Sequence, residues 1–274
     1  MADGQGSMPW PSTPWSCRHT DWLLMGSGLD DAGKAGLKRL AAVAGARLVE
    51  SWCHGVTHVV CRTDAGQRAR RTMKYLMGVA HGCWVVDCAW VAACLSLGGA
   101  APEASYQVHG DSNGGMGGPA AGRSRLASGG LAVLSGYTLM LAGPFSAQDD
   151  LVALLKASGA ILLSRAPSAR GSTRGLPEVI VAANPPRRAA KLARTDAAVS
   201  ANAGASGGGC EDAATEAKGT PLALYDGDCC AATGIEPQLA GAAAVRAGMP
   251  LVSYKWVLEC VGSQSYRDWQ PFKL

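Results

Sequence analysis

Residues 85–94 read VVDCAWVAAC, and residues 251–260 read LVSYKWVLEC. Each copy begins with residues that suit a buried strand and continues with Trp, Val and Cys at relative positions 0, 1 and 4, a spacing that puts them on one helical face. A short strand that leads into a helix with a buried Trp is therefore predicted twice. We expect Trp90 and Trp256 to anchor these helices in the core rather than to form a site.

A second pattern shows that the whole unit is repeated. Residues 37–50 and 151–164 share an apolar helical pattern that runs through Gly-Ala into a strand. The copies of this pattern are closer together in the chain than the two Trp segments are. Because repeats diverge by insertion at loops, the second unit is expected to carry an insertion. Residues 166–220 are rich in Ala, Gly, Ser and Arg, and we predict that this segment is largely disordered.

Strands and helices alternate in both units, which predicts an α/β fold with parallel sheets that are covered by helices on both faces. In the first unit we expect a helix over about 65–77, and in the second we expect the third strand at 222–225. We divide the chain into a disordered tail at 1–20, a first unit at 21–110, a flexible linker at 111–130 and a second unit at 131–274.

Composition narrows the class of protein. No uninterrupted apolar run reaches the roughly 18 residues that span a bilayer, and the N-terminus lacks the pattern of a signal peptide, so we expect no membrane partner. Six of the ten cysteines lie in strand or helix patterns, where free Cys behaves as a small buried hydrophobe, and this favours a reduced, intracellular protein. The net charge of +4 supports an acidic partner only weakly, so direct DNA binding stays open.

A candidate anion site lies where the first strand ends. Ser27 and Gly28 stand between a strand and a helix start, where a hydroxyl, a glycine amide and a helix N-terminus can face one small space. Thr72 and Lys74 follow the adjacent apolar strand, and the helix after that strand can bring them to the same edge. The default roles of these residues are simpler: either hydroxyl can be a helix cap, and Lys74 can be solvated.

Several motifs together resemble a tandem BRCT module. They are the two Trp helices, MGSGL at 25–29, THVV at 57–60, RTMKY at 71–75, GCW at 82–84, GRSRL at 122–126 and LLSRAP at 162–167. Such modules occur in the C-terminal region of the breast-cancer susceptibility protein, which RTMKY resembles, and in its RING-domain partner, which the last three motifs resemble. The resemblance covers about 20–110 and 130–270, apart from the insertion.

The resemblance implies two BRCT repeats, each a four-stranded parallel sheet flanked by helices, and a phosphopeptide pocket in the first. Carried over by position, the Ser27 hydroxyl, the Gly28 N–H and the Lys74 charge would bind the phosphate, with Thr72 in support. The second repeat is expected to lack this pocket, because Gly143-Pro144-Phe145 stands where the first has Gly-Ser-Gly.

The resemblance also implies a groove between the repeats that receives the ligand residue three places after the phosphoresidue. The matching positions are Arg71, Leu76, Gln148 and Leu258. Gln148 departs from the family pattern, since an amide stands where an apolar side chain would best receive an aromatic ring. A preference for Phe at that place does not carry over to this chain.

The function that the resemblance implies is a non-catalytic, nuclear recognition module without a cofactor, which binds a phosphorylated protein in DNA-damage repair or chromatin signalling. One alternative is docking on nucleosomes that carry ubiquitylated histone, with the basic residues between Arg187 and Arg194 on an acidic surface. A third alternative is a Cys-dependent enzyme built on Cys53 or Cys229. No zinc-ligand spacing and no Gly-x-Ser-x-Gly elbow occur, so we assign no metal ligand and no catalytic residue.

Overall fold

The computed structural model describes residues 18–142, 145, 147–163, 179–183 and 250–273. The predicted tail up to residue 17 and most of the predicted insertion lie outside these residues. None of the helices in this described part is long and apolar enough to cross a membrane.

The first repeat is built on a four-stranded parallel sheet with the strand order β2-β1-β3-β5. Its strands are β1 (Leu23–Ser27), β2 (Arg47–Val49), β3 (His58–Cys61) and β5 (Trp84–Asp87), and a short strand β4 (Arg68–Ala69) lies outside the sheet. Its helices are α1 (Asp31–Ala44), α2 (Met73–Ala80) and α3 (Cys88–Leu97).

The second repeat has the same topology, with the order β8-β7-β9-β10. Its elements are β7 (Thr138–Ala142), α5 (Gln148–Ala157), β8 (Ile161–Leu163), β9 (Val179–Ala183), β10 (Leu251–Ser253) and α6 (Lys255–Ser263). The α/β fold with two four-stranded parallel sheets is thus confirmed. The predicted position of the third strand was wrong. The third strand is β9, which lies within the predicted insertion, because a β-branched run pairs well between two strands. Residues 222–225 lie outside the described residues.

The segment between the repeats is ordered, so the prediction of a flexible linker at 111–130 was wrong. It contains β6 (Gly110–Asp111), which pairs with β4, and the helix α4 (Gly118–Ala127). A Cβ at Gly118 would lie 1.9 Å from the carbonyl oxygen of Gly262, and one at Gly122 would lie 2.3 Å from that of Val79. These glycines therefore allow α4 to pack closely against both repeats.

Helix α2 begins later than expected, because a side chain directs the preceding residues into a turn. Asp64 Oδ1 accepts hydrogen bonds from the N–H groups of Gly66 (2.9 Å) and Arg68 (3.0 Å). Thr72 is the N-cap of α2, and its Oγ1 accepts from the Tyr75 N–H at 3.1 Å. Residues 65–72 thus form a turn, β4 and an extended approach to the helix.

The repeated Trp segment forms the same hydrogen-bonded clamp in both repeats. In the first, Trp90 Nε1 donates to the Ala101 carbonyl at 3.0 Å, and the Ala101 N–H donates to Cys94 Sγ at 3.3 Å. In the second, Trp256 Nε1 donates to the Arg267 carbonyl at 2.6 Å, and the Arg267 N–H donates to Cys260 Sγ at 3.4 Å. Both Trp side chains are fully buried. The Trp-x-x-x-Cys spacing therefore fastens the chain after each final helix.

One apolar cluster crosses the boundary between the repeats. It includes Leu76 and Val79 of α2 together with Leu154 of α5 and Trp256 of α6. A second cluster, which includes Trp22, lies on the other face of the first sheet. Because α2 contributes to the shared core, its position depends on both repeats.

Charged groups also join the repeats at this boundary. The Arg71 side chain is 5% exposed, and its Nη2 lies 2.9 Å from Oδ1 of Asp111, whose side chain is 0% exposed. Its Nη1 donates to Glu259 Oε1 of α6 at 2.8 Å. Burial alone would lower the pKa of Arg71, but the bonds to Glu259 and Asp111 raise that pKa above its ordinary value. Arg71 is therefore a buried cation held by two carboxylates.

A buried histidine lies under the first Trp helix. His58 is 3% exposed, and its Nδ1 lies 2.8 Å from Thr57 Oγ1 and its Nε2 3.4 Å from Glu103 Oε1. Its ring stacks on that of Trp90, with centroids 4.8 Å apart. Burial lowers the pKa of His58, although the bond to Glu103 acts in the opposite direction. His58 is thus neutral in the folded protein at neutral pH.

We predict that Trp90→Ala lowers the free energy of unfolding by about 3–5 kcal/mol, because it leaves a cavity and removes the clamp to Ala101. Urea denaturation measures this change. Leu97→Ala is the control: its side chain lies on the same helix but is largely exposed, so we expect a change within about 0.5 kcal/mol. Equal effects of the two substitutions would contradict the assigned role of Trp90.

Asp111→Asn is expected to cost about 3 kcal/mol or more, because it leaves Arg71 without one of its buried counter-charges while it preserves the shape of the side chain. Thermal and urea unfolding measure the loss. Asp64→Asn is the matched control, since Asp64 pairs with Arg68 at the exposed surface and also orders a turn through Oδ1. It should change stability far less. A similar loss of stability in both variants would contradict the larger contribution that we assign to the buried pair.

Stability should fall as the pH drops below about 6.5, the ordinary pKa of histidine. The unfolded chain takes up a proton at His58 that the folded protein excludes, so this contribution is complete above that pH and is lost below it. Urea midpoints at about pH 7.5 and 5.5 test the slope, which His58→Phe should reduce. Burial also lowers the pKa of the more exposed His81, so His81→Gln should reduce the pH dependence of stability by a smaller amount. An unchanged slope in His58→Phe would refute the prediction.

Candidate functional site

Two hydroxyl groups meet at the carboxyl end of β1. Ser27 is the last residue of that strand and is 4% exposed. Its Oγ lies 2.6 Å from Oγ1 of Thr72, the N-cap of α2. β1 and β3 place Ser27 opposite Cys61, and the chain after β3 leads through β4 to α2. The fold therefore brings the predicted residues Ser27 and Thr72 into direct contact.

The structure also shows which of these hydroxyls caps a helix. Asp30, not Ser27, caps α1, because its Oδ1 accepts from the Gly33 N–H at 2.8 Å. Thr72 does cap α2 and contacts Ser27 with the same oxygen. Capping thus explains the position of Thr72 but not that of Ser27.

Gly28 follows Ser27 on the exposed surface with a φ of +65°, a backbone conformation that favours glycine. A β-carbon built at this position would find one described heavy atom within 4 Å outside its chain neighbours, the Cβ of Arg70 at 3.9 Å. The space beside Gly28 is therefore open and is bordered by Arg70.

Lys74 lies in the first turn of α2, where positive charge is unfavourable. The N-terminus of a helix carries a partial positive charge, and the first turn of α2 contains no acidic residue to offset it. Among the residues that the structure describes, none forms an ion pair with Lys74. An anion at this helix start would interact favourably with both the ammonium group and the backbone N–H groups.

The four predicted groove residues lie near the boundary between the repeats but differ in what they offer a ligand. Leu76 and Leu258 belong to the shared core and are 0% and 5% exposed. Arg71 is engaged by Asp111 and Glu259. Gln148 is exposed as the first residue of α5. A ligand groove at these positions stays a prediction.

The cysteines of the described core are poor candidates for nucleophiles. Burial raises the pKa of Cys61 and Cys83 to about 12, and that of Cys94 and Cys260 to about 11. These thiols stay protonated at neutral pH, whereas the thiolate is the reactive form. Within the described ranges no group of three or more His, Cys, Asp or Glu side chains could hold a metal ion.

Two of the remaining predictions fall wholly or partly outside the described residues. Cys229 lies outside them, while Cys53 is exposed. Of the segment 143–145, only Phe145 is described; it is buried and packs edge-on against Tyr254 with centroids 5.8 Å apart. The absence of a second pocket therefore stays a prediction.

Three residues were missed by the sequence analysis. Asp111 and Glu259 hold Arg71, and Arg70 borders Gly28. Glu259 did leave a signal, since it is an ionisable residue in an otherwise apolar helix segment. Arg70 and Asp111 left none, because the side that each faces depends on the pairing of β4 with β6.

Part of the chain matches a known protein family. Residues 23–95 match the model of the BRCA1 C Terminus (BRCT) domain. BRCA1-associated RING domain protein 1 of Homo sapiens is 34% identical over 149 residues, which cover 53% of this chain and 18% of that protein. The chain thus spans about a fifth of the length of such curated relatives.

Two solved structures align over most of the chain. The BRCT5-BRCT6 domains of S. pombe Brc1 align with a TM-score of 0.49 and 17% identity, over 89% of this chain and 93% of that chain. The complex of Rtt107p with phosphorylated histone H2A aligns with a TM-score of 0.44 and 9% identity, over 92% of this chain and 90% of that chain. Residues 23–95 thus match the BRCT domain family, and the second sheet of the chain repeats the strand order of the first.

Proposed function

We propose that the first repeat binds a phosphorylated residue of a protein ligand through Ser27, Gly28, Thr72 and Lys74. The observation that carries this proposal is the contact of 2.6 Å between the Ser27 and Thr72 hydroxyls at the start of α2, with Lys74 in the first turn of that helix. This edge of the sheet combines a hydroxyl donor, free backbone N–H groups and a cation. These are the groups that bind phosphate.

The hydrogen bonds explain how Ser27 would act as a donor. Thr72 Oγ1 already accepts from the Tyr75 N–H, so the Thr72 proton is available for Ser27 Oγ. The Ser27 proton is then available for a phosphate oxygen. Thr72 in this role orients Ser27 rather than contacting the ligand.

The positive φ of Gly28 supports the second contact. Glycine adopts this conformation readily, and it has no side chain to block the space beside the pocket. A phosphate oxygen can therefore approach the Gly28 N–H. Each charge-assisted hydrogen bond contributes about 1.5–3 kcal/mol. Two or three of them are enough to separate a phosphorylated ligand from an unmodified one.

We place this recognition in DNA repair or chromatin signalling in the nucleus. Support comes from the BRCT family, whose domains are protein-interaction modules rather than enzymes, and from the relative named for its association with BRCA1. Docking on nucleosomes through Arg187–Arg194 would rest on residues outside the described ranges.

Lys74→Met should weaken binding of a phosphoserine peptide by about tenfold or more, while it leaves the weak binding of the unmodified peptide unchanged. Ser27→Ala should act in the same direction, because it removes a donor. Fluorescence anisotropy with peptides selected from a library with fixed phosphoserine measures both effects, and far-UV circular dichroism checks that the variants fold.

Lys38→Met is the matched control, since Lys38 is an exposed lysine on α1 and its loss removes the same charge. It should leave phosphopeptide affinity within about twofold, since exposed charges beyond a Debye length are largely screened. Equal affinity of the native protein for phosphorylated and unmodified peptides, or equal losses in Lys38→Met and Lys74→Met, would refute the proposal.

A further inference from the structure

Arg70 lies beside the proposed phosphate pocket on the exposed side of an extended segment. Its neighbours Ala69 and Arg71 are 0% and 7% exposed, whereas Arg70 is exposed. Successive side chains of an extended chain point to opposite sides, so the burial of Ala69 and Arg71 turns Arg70 outward. Apart from the chain neighbours of Gly28, the Cβ of Arg70 is also the nearest described heavy atom to a β-carbon built at Gly28, at 3.9 Å.

The charges around the pocket leave Arg70 without a counter-charge. Two neighbouring arginines have exposed partners: Arg62 Nη1 pairs with Asp30, and Arg68 pairs with Asp64 at 2.8 Å. Within the described part of the chain, neither Arg70 nor Lys74 has an ion-pair partner. The edge of the sheet beyond Ser27 therefore carries two uncompensated cations.

The two cations reach this edge of the sheet from different segments of the chain. Lys74 follows the N-cap Thr72, whose hydroxyl contacts Ser27, whereas Arg70 borders the outer side of Gly28. A guanidinium fork matches the geometry of a carboxylate and can bind it through two parallel hydrogen bonds. A carboxylate close to the phosphoresidue in the ligand would meet this fork while the phosphate occupies the pocket.

We propose that Arg70 is a specificity-determining residue that selects ligands with an acidic side chain next to the phosphorylated residue. This inference rests on the proposed function and extends it, because the expected ligand becomes an acidic phosphopeptide rather than any phosphopeptide. Arg71 cannot take this role, because Asp111 and Glu259 already hold its guanidinium.

The test is a double-mutant cycle between protein and peptide. A phosphoserine peptide with Glu at the neighbouring positions is compared with the same peptide carrying Gln, and both are titrated against the native chain and Arg70→Gln. We expect the native chain to prefer the Glu peptide by roughly threefold to fivefold, as for a solvent-exposed ion pair, and Arg70→Gln to lose that preference. A second phosphoserine at those positions, included as a third peptide, shows whether another anion can substitute for the carboxylate.

Arg47→Gln is the matched control. Arg47 is exposed and pairs in register with Leu23, the first residue of β1, so it lies at the end of the sheet opposite Ser27. It should keep the full preference for the Glu peptide, and the preference of the native chain should shrink as salt screens the pair.

The outcomes separate this inference from the proposed function. If binding requires the phosphate but Arg70→Gln keeps the preference for Glu, the role of Arg70 is overturned and the phosphate pocket stands. A preference for the doubly phosphorylated peptide without one for Glu would overturn the choice of a carboxylate. If the native chain does not distinguish phosphorylated from unmodified peptides, both proposals fail.

Discussion

The buried guanidinium of Arg71 is the constraint on which the arrangement of the two repeats depends. A cation in this position costs several kcal/mol unless carboxylates compensate it. Asp111, just before α4, and Glu259, in α6, supply the compensation from outside the first sheet. Arg71 also directly precedes Thr72, the N-cap of α2. The start of α2, and with it the proposed phosphate pocket, is therefore positioned by contacts with the segment between the repeats and with the second repeat.

The apolar contacts alone would not fix this arrangement so narrowly. Apolar side chains tolerate alternative packing, whereas a buried ion pair satisfies its charges in few geometries. The glycines of α4 act in the same way, because Gly118 and Gly122 bring that helix so close to Gly262 and Val79 that a larger side chain would clash. Together these contacts explain why the segment between the repeats is a structural element rather than a tether.

The fold followed from the sequence wherever a pattern was local. The helical period and the repeated Trp segment predicted both sheets, because burial on one face leaves a period in the sequence. The errors arose where distant residues decide the outcome. Asp64 turns the chain before α2, the glycines at 118 and 122 serve packing, and β9 is separated from β10 by a long stretch of chain. For the site, the resemblance placed Ser27 and Thr72 together, but it did not indicate that Arg70 is exposed and Arg71 is buried.

The two repeats share a means of stability, and the candidate site lies in the first of them. The Trp and Cys clamp recurs with the same spacing in both, down to the backbone groups that it engages. The hydroxyl contact at the carboxyl end of β1 instead belongs to the first repeat, and Glu259 of the second repeat holds the arginine that precedes it. The second repeat thus contributes to the proposed site by positioning α2. A site proposed in the first repeat can therefore depend on the second repeat for its geometry.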